Sequence, residues 1–106
     1  MTLDEQYQKT IDDQRTFLLK LQDDFNKACD NAKNVAQEKI KSLPKDDKAG
    51  REAALQEQKT ALDEALHILK TEVDHSTRET MRKLEEVVRK KEELLLGNLE
   101  KEMEAL

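Results

Sequence analysis

Residues 62–106, LDEALHILKTEVDHSTRETMRKLEEVVRKKEELLLGNLEKEMEAL, decide the fold: Leu62, Val73, Leu84, Leu95 and Leu106 recur every eleven residues, and Leu66, Val88 and Leu99 follow four positions behind. Eleven residues over three turns is about 3.67 per turn, close to the natural helical repeat, so this stripe follows a nearly straight helix or a slight right-handed supercoil. Met81 and Met103 reinforce it three residues before Leu84 and Leu106, and Val87 lies beside Val88. Glu, Lys and Arg fill most of the intervening positions. No period-two alternation competes for a strand.

The same period appears upstream. An apolar stripe runs through Leu3, Tyr7, Ile11, Leu18, Leu21, Phe25, Ala28 with Cys29, Ala32, Val35 with Ala36, Ile40 and Leu43, in which Tyr7, Leu18, Cys29 and Ile40 are eleven apart. Two helices of equal pitch can stay in contact along their length. Thr2 and Glu5 form a capping-box pattern that starts the first helix at about residue 3. Gln14 interrupts the apolar positions; it is read as an edge residue reaching solvent, with a register-setting polar residue in the seam as the other reading. Between the stripes lies the only punctuation, Pro44-Lys45-Asp46-Asp47-Lys48-Ala49-Gly50, with the sole proline and the first of two glycines. Proline cannot continue a helix from within, and Asp46 or Asp47 can cap the second helix. The expected fold is all-α: two long antiparallel helices of about 3–43 and 47–105 joined by a 44–50 loop, a coiled-coil-like helical hairpin forming one domain, 1–106, and completing a bundle by oligomerisation.

Composition agrees with a thin fold. With 106 residues, 41% charged and 36% hydrophobic, three aromatics and no tryptophan, the chain lacks the material for a thick globular core. The sustained stripe separates it from a disordered chain of similar charge. A formal net charge of −5, with 24 acidic and 19 basic residues interleaved, gives no field toward a nucleic-acid backbone. The basic run Arg78, Arg82, Lys83, Arg89, Lys90 and Lys91 is diluted by glutamates and has no aromatic to stack a base, so no nucleic-acid partner is expected. No segment has the roughly 18 to 20 consecutive apolar residues of a membrane span, and the N-terminus lacks a signal-peptide pattern, which points to the cytoplasm. The lone Cys29 cannot form an internal disulfide and suits a reducing compartment. The chain stops in mid-stripe at Glu104-Ala105-Leu106 without a cap, as an excised segment would.

Chemistry-bearing patterns are weak. His67 and His75, eight residues apart, stand about 12 Å apart along one helix, too far to share a metal ion, and Asp63 four residues before His67 is an ordinary helix pair. Antiparallel pairing brings Cys29 toward positions 64–69 and thus His67, but Cys29 belongs to a run of small core residues and a two-helix hairpin offers no oxyanion donors. Asp12-Asp13 and Asp23-Asp24 diverge around the helix, and glycines 47 positions apart cannot cradle a phosphate. No enzyme activity, cofactor or metal is expected.

There is also a mismatch of lengths. Folding the hairpin near residue 46 pairs positions whose numbers total about 93 to 98, which leaves residues 94–106, about 20 Å of helix, without the first helix beside them. That tail holds Leu94, Leu95, Leu96, Leu99, Met103 and Leu106, the expected partner-binding residues. The expected outcome is a homodimer; a different helical protein, or a fold-back at Gly97-Asn98, are the alternatives. The function expected is therefore a structural or interaction module, a scaffold acting through the C-terminal stripe. The alternative is an amphipathic protein coating a lipid or other hydrophobic surface.

Overall fold

The computed structural model describes residues 1–106 and consists of two α-helices, α1 (Leu3–Ser42) and α2 (Lys48–Ala105), with no strand. The expected helical hairpin is the fold. Each helix end has a local cause. The Thr2 hydroxyl accepts the Glu5 N–H at 3.1 Å, capping the start of α1, and Asp4 and Glu5 place negative charge against its positive dipole end. At the other end the Leu43 N–H turns back to the Ile40 carbonyl, and Pro44 prevents continuation. Asp47 caps α2, its Oδ1 accepting the Gly50 N–H at 2.9 Å. Gly50 is needed there for space, since a Cβ would lie 2.6 Å from Asp47 Oδ2 and 3.0 Å from Leu43 Cδ1.

The chain divides into two compact units, each built from one stretch of α1 and one of α2 running antiparallel. The loop-proximal unit, Leu18–Val73, has a core of Ala32, Ala36 and Ala54, flanked by half-buried Leu21, Phe25, Ile40, Leu62 and Leu69. Lys39 pairs with Glu57 across its two helices. The terminal unit, Met1–Phe17 with Asp74–Leu106, is centred on Val87, with Leu3, Ile11, Phe17 and Leu84 half-buried. Here Lys91 reaches Asp4 at 2.5 Å.

The eleven-residue repeat is visible in solvent exposure. Asp47, Arg51, Ala54, Gln58, Leu62, Ala65, Leu69, Val73, Ser76, Thr80, Leu84 and Val87 are all buried or half-buried, following one another at steps of three or four residues. One expectation is corrected. The line four behind the main stripe is not part of the seam: Leu66 and Val88 are 39% and 41% exposed. The shielded companion line follows three positions after the main stripe, through Ala54, Ala65, Ser76 and Val87. A single partner helix covers only a narrow arc of α2, and residues that are mostly small on this line let the backbones approach on that side, leaving the other line on the flank.

A second correction concerns Gln14. It is half-buried in the seam of the terminal unit, where its Nε2 donates to Ser76 Oγ at 3.2 Å and its Oε1 accepts from the Thr80 hydroxyl at 2.9 Å. The seam line of α2 carries Ser76 and Thr80 at this level, so α1 answers with an amide that can both donate and accept. Such a polar layer fixes register, because a slip of one turn strands its members against apolar neighbours.

Gln14→Ala removes its cross-helix bonds to Ser76, Thr77 and Thr80 and is expected to lower stability by about 1 kcal/mol in urea denaturation. Replacing the layer with Gln14→Leu, Ser76→Ala and Thr80→Val is expected to raise the midpoint while broadening the amide NMR spectrum through mixed registers. Gly97→Ala, where an added Cβ meets nothing within 4 Å, is expected to stabilise α2 by about 0.5 to 1 kcal/mol on the same assay.

Candidate partner-binding surface

α1 begins at Leu3, and the Asp4–Lys91 ion pair marks the last level at which α2 has α1 beside it. α2 continues to Ala105 without interruption. Gly97 keeps a negative φ inside the helix, so the alternative of a fold-back at Gly97-Asn98 does not occur; the leucine, glutamate and lysine residues around it favour helix strongly enough to carry one glycine. All six expected contact residues are on this projecting stretch, and all are open to solvent: Leu94, Leu95, Leu96, Leu99, Met103 and Leu106 are between 53% and 105% exposed.

These residues are not spread evenly around the helix. Leu95, Leu99, Met103 and Leu106 follow one another at steps of four, four and three, which stacks them on one side, with Leu96 at its edge. Traced back toward α1, the same side carries Val88 and Met81. Together with Tyr7 of α1 and Leu84 these two line a shallow groove of about 330 Å³, bordered by Glu85 and Arg89. The exposed apolar surface is therefore longer than the tail. Membership of the two stripes assigns Tyr7, Met81 and Val88 to the hairpin core, yet the spacing of seven from Met81 to Val88 to Leu95 marks α2's two as one line with the tail.

Charge along the edge of this surface changes sign. Arg89, which borders the groove, and Glu100 are eleven apart, so this edge begins basic and ends acidic, whereas Arg82, Glu93 and Glu104, also eleven apart, follow a side turned away from it, Arg82 lining a separate groove. Arg89 reaches Glu86 at 2.6 Å and Glu93 at 2.5 Å, and Arg82 pairs with Glu79. The hydrogen bond from Arg89 holds the Glu86 carboxyl below its ordinary range and raises the guanidinium in return. These pairs are exposed and contribute little to stability.

The loop-proximal unit has a separate shallow groove of about 430 Å³, floored by Ala28, Ala32, Ala54, Ala61 and Ala65 and rimmed by exposed Ile68. Cys29 is half-buried in the seam, while His67 and His75 are exposed. No group of three or more His, Cys, Asp or Glu side chains is placed to hold a metal ion, and no helix is long and apolar enough to cross a membrane. In comparison with known proteins, the chain matches no family model, no curated protein and no solved structure.

Proposed function

We propose that the protein is a structural interaction module, a helical hairpin that homodimerises, in preference to scaffolding a different protein partner, through the C-terminal stripe Leu94, Leu95, Leu96, Leu99, Met103 and Leu106. The observation that carries this reading is the projection of that stripe, as ordered helix, past the end of α1. Each large apolar side chain left in water forgoes roughly 1.5 to 3 kcal/mol relative to burial, so six represent on the order of 10 kcal/mol. That is comparable to the whole folding free energy of a small domain.

The hairpin's own core supports the same reading. Its buried residues are Ala32, Ala36, Ala54 and Val87, three of them alanines, so little apolar area is removed from water within one chain. Two-fold association presents the same patch from both copies and covers both tails with one surface. A different helical protein would cover only one. A lipid surface fits less well, because the polar positions beside the tail, Glu93, Glu100, Glu102 and Glu104, are repelled by anionic headgroups. The reducing interior of a cell, where the lone Cys29 stays a thiol, is the compartment this reading assigns.

Light scattering behind a sizing column checks the association directly. The expected mass at micromolar concentration is twice the 12.3 kDa of the chain. The double variant Leu95→Glu, Leu99→Glu is expected to elute as a monomer with its helical circular dichroism largely kept. A wild-type monomer contradicts the proposal, and helicity that rises only on adding phosphatidylcholine vesicles assigns the stripe to lipid instead.

A further inference from the structure

Given the homodimer proposed above, on which this inference rests, we infer that the two copies pair antiparallel through α2, the tail of each lying in the Tyr7–Met81–Val88 groove of the other. The occupant of that groove is thus a second copy of this chain. Three observations lead there.

The apolar line is long enough and has the right register. From Met81 to Leu106 α2 spans about 38 Å at 1.5 Å per residue, and the exposed apolar side chains along it are Met81, Val88, Leu95, Leu99, Met103 and Leu106. Placing a two-fold axis between Glu93 and Leu94 sets Met81 against Leu106 of the second copy, Leu84 against Met103, and Val88 against Leu99. Each exposed apolar residue of this line before the axis then meets one from a tail. Glu92, which lines the groove, falls opposite Leu95 near the axis.

Charge chooses the direction. Arg89 borders the groove on the edge of the helix that Glu100 occupies eleven residues further along. Antiparallel helices bring like edges together in reversed order, so Arg89 comes within two residues of the level of Glu100 of the second copy. A parallel pair instead sets the two acidic tails at the same level, gathering Glu100, Glu102 and Glu104 of both copies at one end with only Lys101 to offset them. Like charges side by side are disfavoured, and opposite charges at a rim fix orientation.

The terminal unit also has an apolar recess at this place. Tyr7 walls the groove along α1, and it is 37% exposed although it belongs to the apolar stripe of its helix. A docked tail covers its ring together with Met81 and Val88, giving a three-helix layer at each end of the dimer. Gly97 falls on the opposite face of the tail, consistent with the open space around it.

The test is disulfide trapping in a Cys29→Ser background, using the full chain and mild oxidation, with the light-scattering mass of each variant recorded before oxidation. Mixing the Val88→Cys variant with the Leu99→Cys variant is expected to give a covalent dimer at least tenfold faster than Leu99→Cys alone. Self-linking of Leu99→Cys and of Val88→Cys at rates matching the mixture, with dimeric mass retained, indicates a parallel pair; it overturns this inference and leaves the homodimer standing. Dimeric mass with no trapping in any combination places the contact elsewhere and likewise overturns it. A monomeric mass for both variants and for the Cys29→Ser parent overturns the homodimer and this inference together.

Discussion

The structure depends on one constraint, the common eleven-residue period of its two helices. A two-helix fold has a single seam, and side chains stay in that seam only if both stripes drift around their helices at the same rate. On α2 the shielded positions keep the period from Asp47 to Val87 without a skipped step. The consequence is a narrow contact. Its buried members are mostly alanines, which bring the helices close but remove little area from water. Specificity therefore comes from polar devices set into the seam and its ends: the Gln14 layer with Ser76 and Thr80, the Lys39–Glu57 and Asp4–Lys91 pairs, and the Asp47 cap closed over Gly50.

A seam that thin does not exhaust the apolar material of the chain. The unused part is concentrated on one flank of α2 and on the stretch beyond α1, where Met81, Val88, Leu95, Leu99, Met103 and Leu106 form a single line with Tyr7 beside its start. The change from Arg89 to Glu100 along its edge gives this line a polarity. A surface that is apolar along its centre and oppositely charged at its two ends is complementary to itself when turned end for end. Under the proposed dimer, its function lies in what the two copies hold together, and the hairpin serves as a spacer of defined register.

Much of the fold is legible in the sequence because its signals are local. Pro44 and the two aspartates locate the turn, Thr2 locates the start of α1, and the repeat through Leu62, Val73 and Leu84 identifies the seam. Periodicity does not say how wide a seam is, however. Leu66 and Val88 look like core from spacing, and only the partner helix, which covers residues three and not four positions after the main stripe, shows that they lie outside it. Gln14 misleads for a related reason: a polar residue in an apolar stripe signals solvent unless hydroxyls far along the chain stand opposite, and Ser76 and Thr80 are paired with it only by the fold. The exposure of the six tail residues is legible too, since the lengths of the two helices decide that α1 ends first. The groove that extends the surface to Tyr7 is not, because it needs both helices in place.

If association supplies the apolar burial that the seam lacks, folding and dimer formation are linked by mass action, and stability depends on protein concentration. Thermal unfolding followed by helical circular dichroism across a wide range of protein concentration measures that linkage. The expected result is a midpoint that rises steadily with concentration, with an unchanged folded baseline. A midpoint independent of concentration would show that one chain is stable by itself and would contradict the central claim.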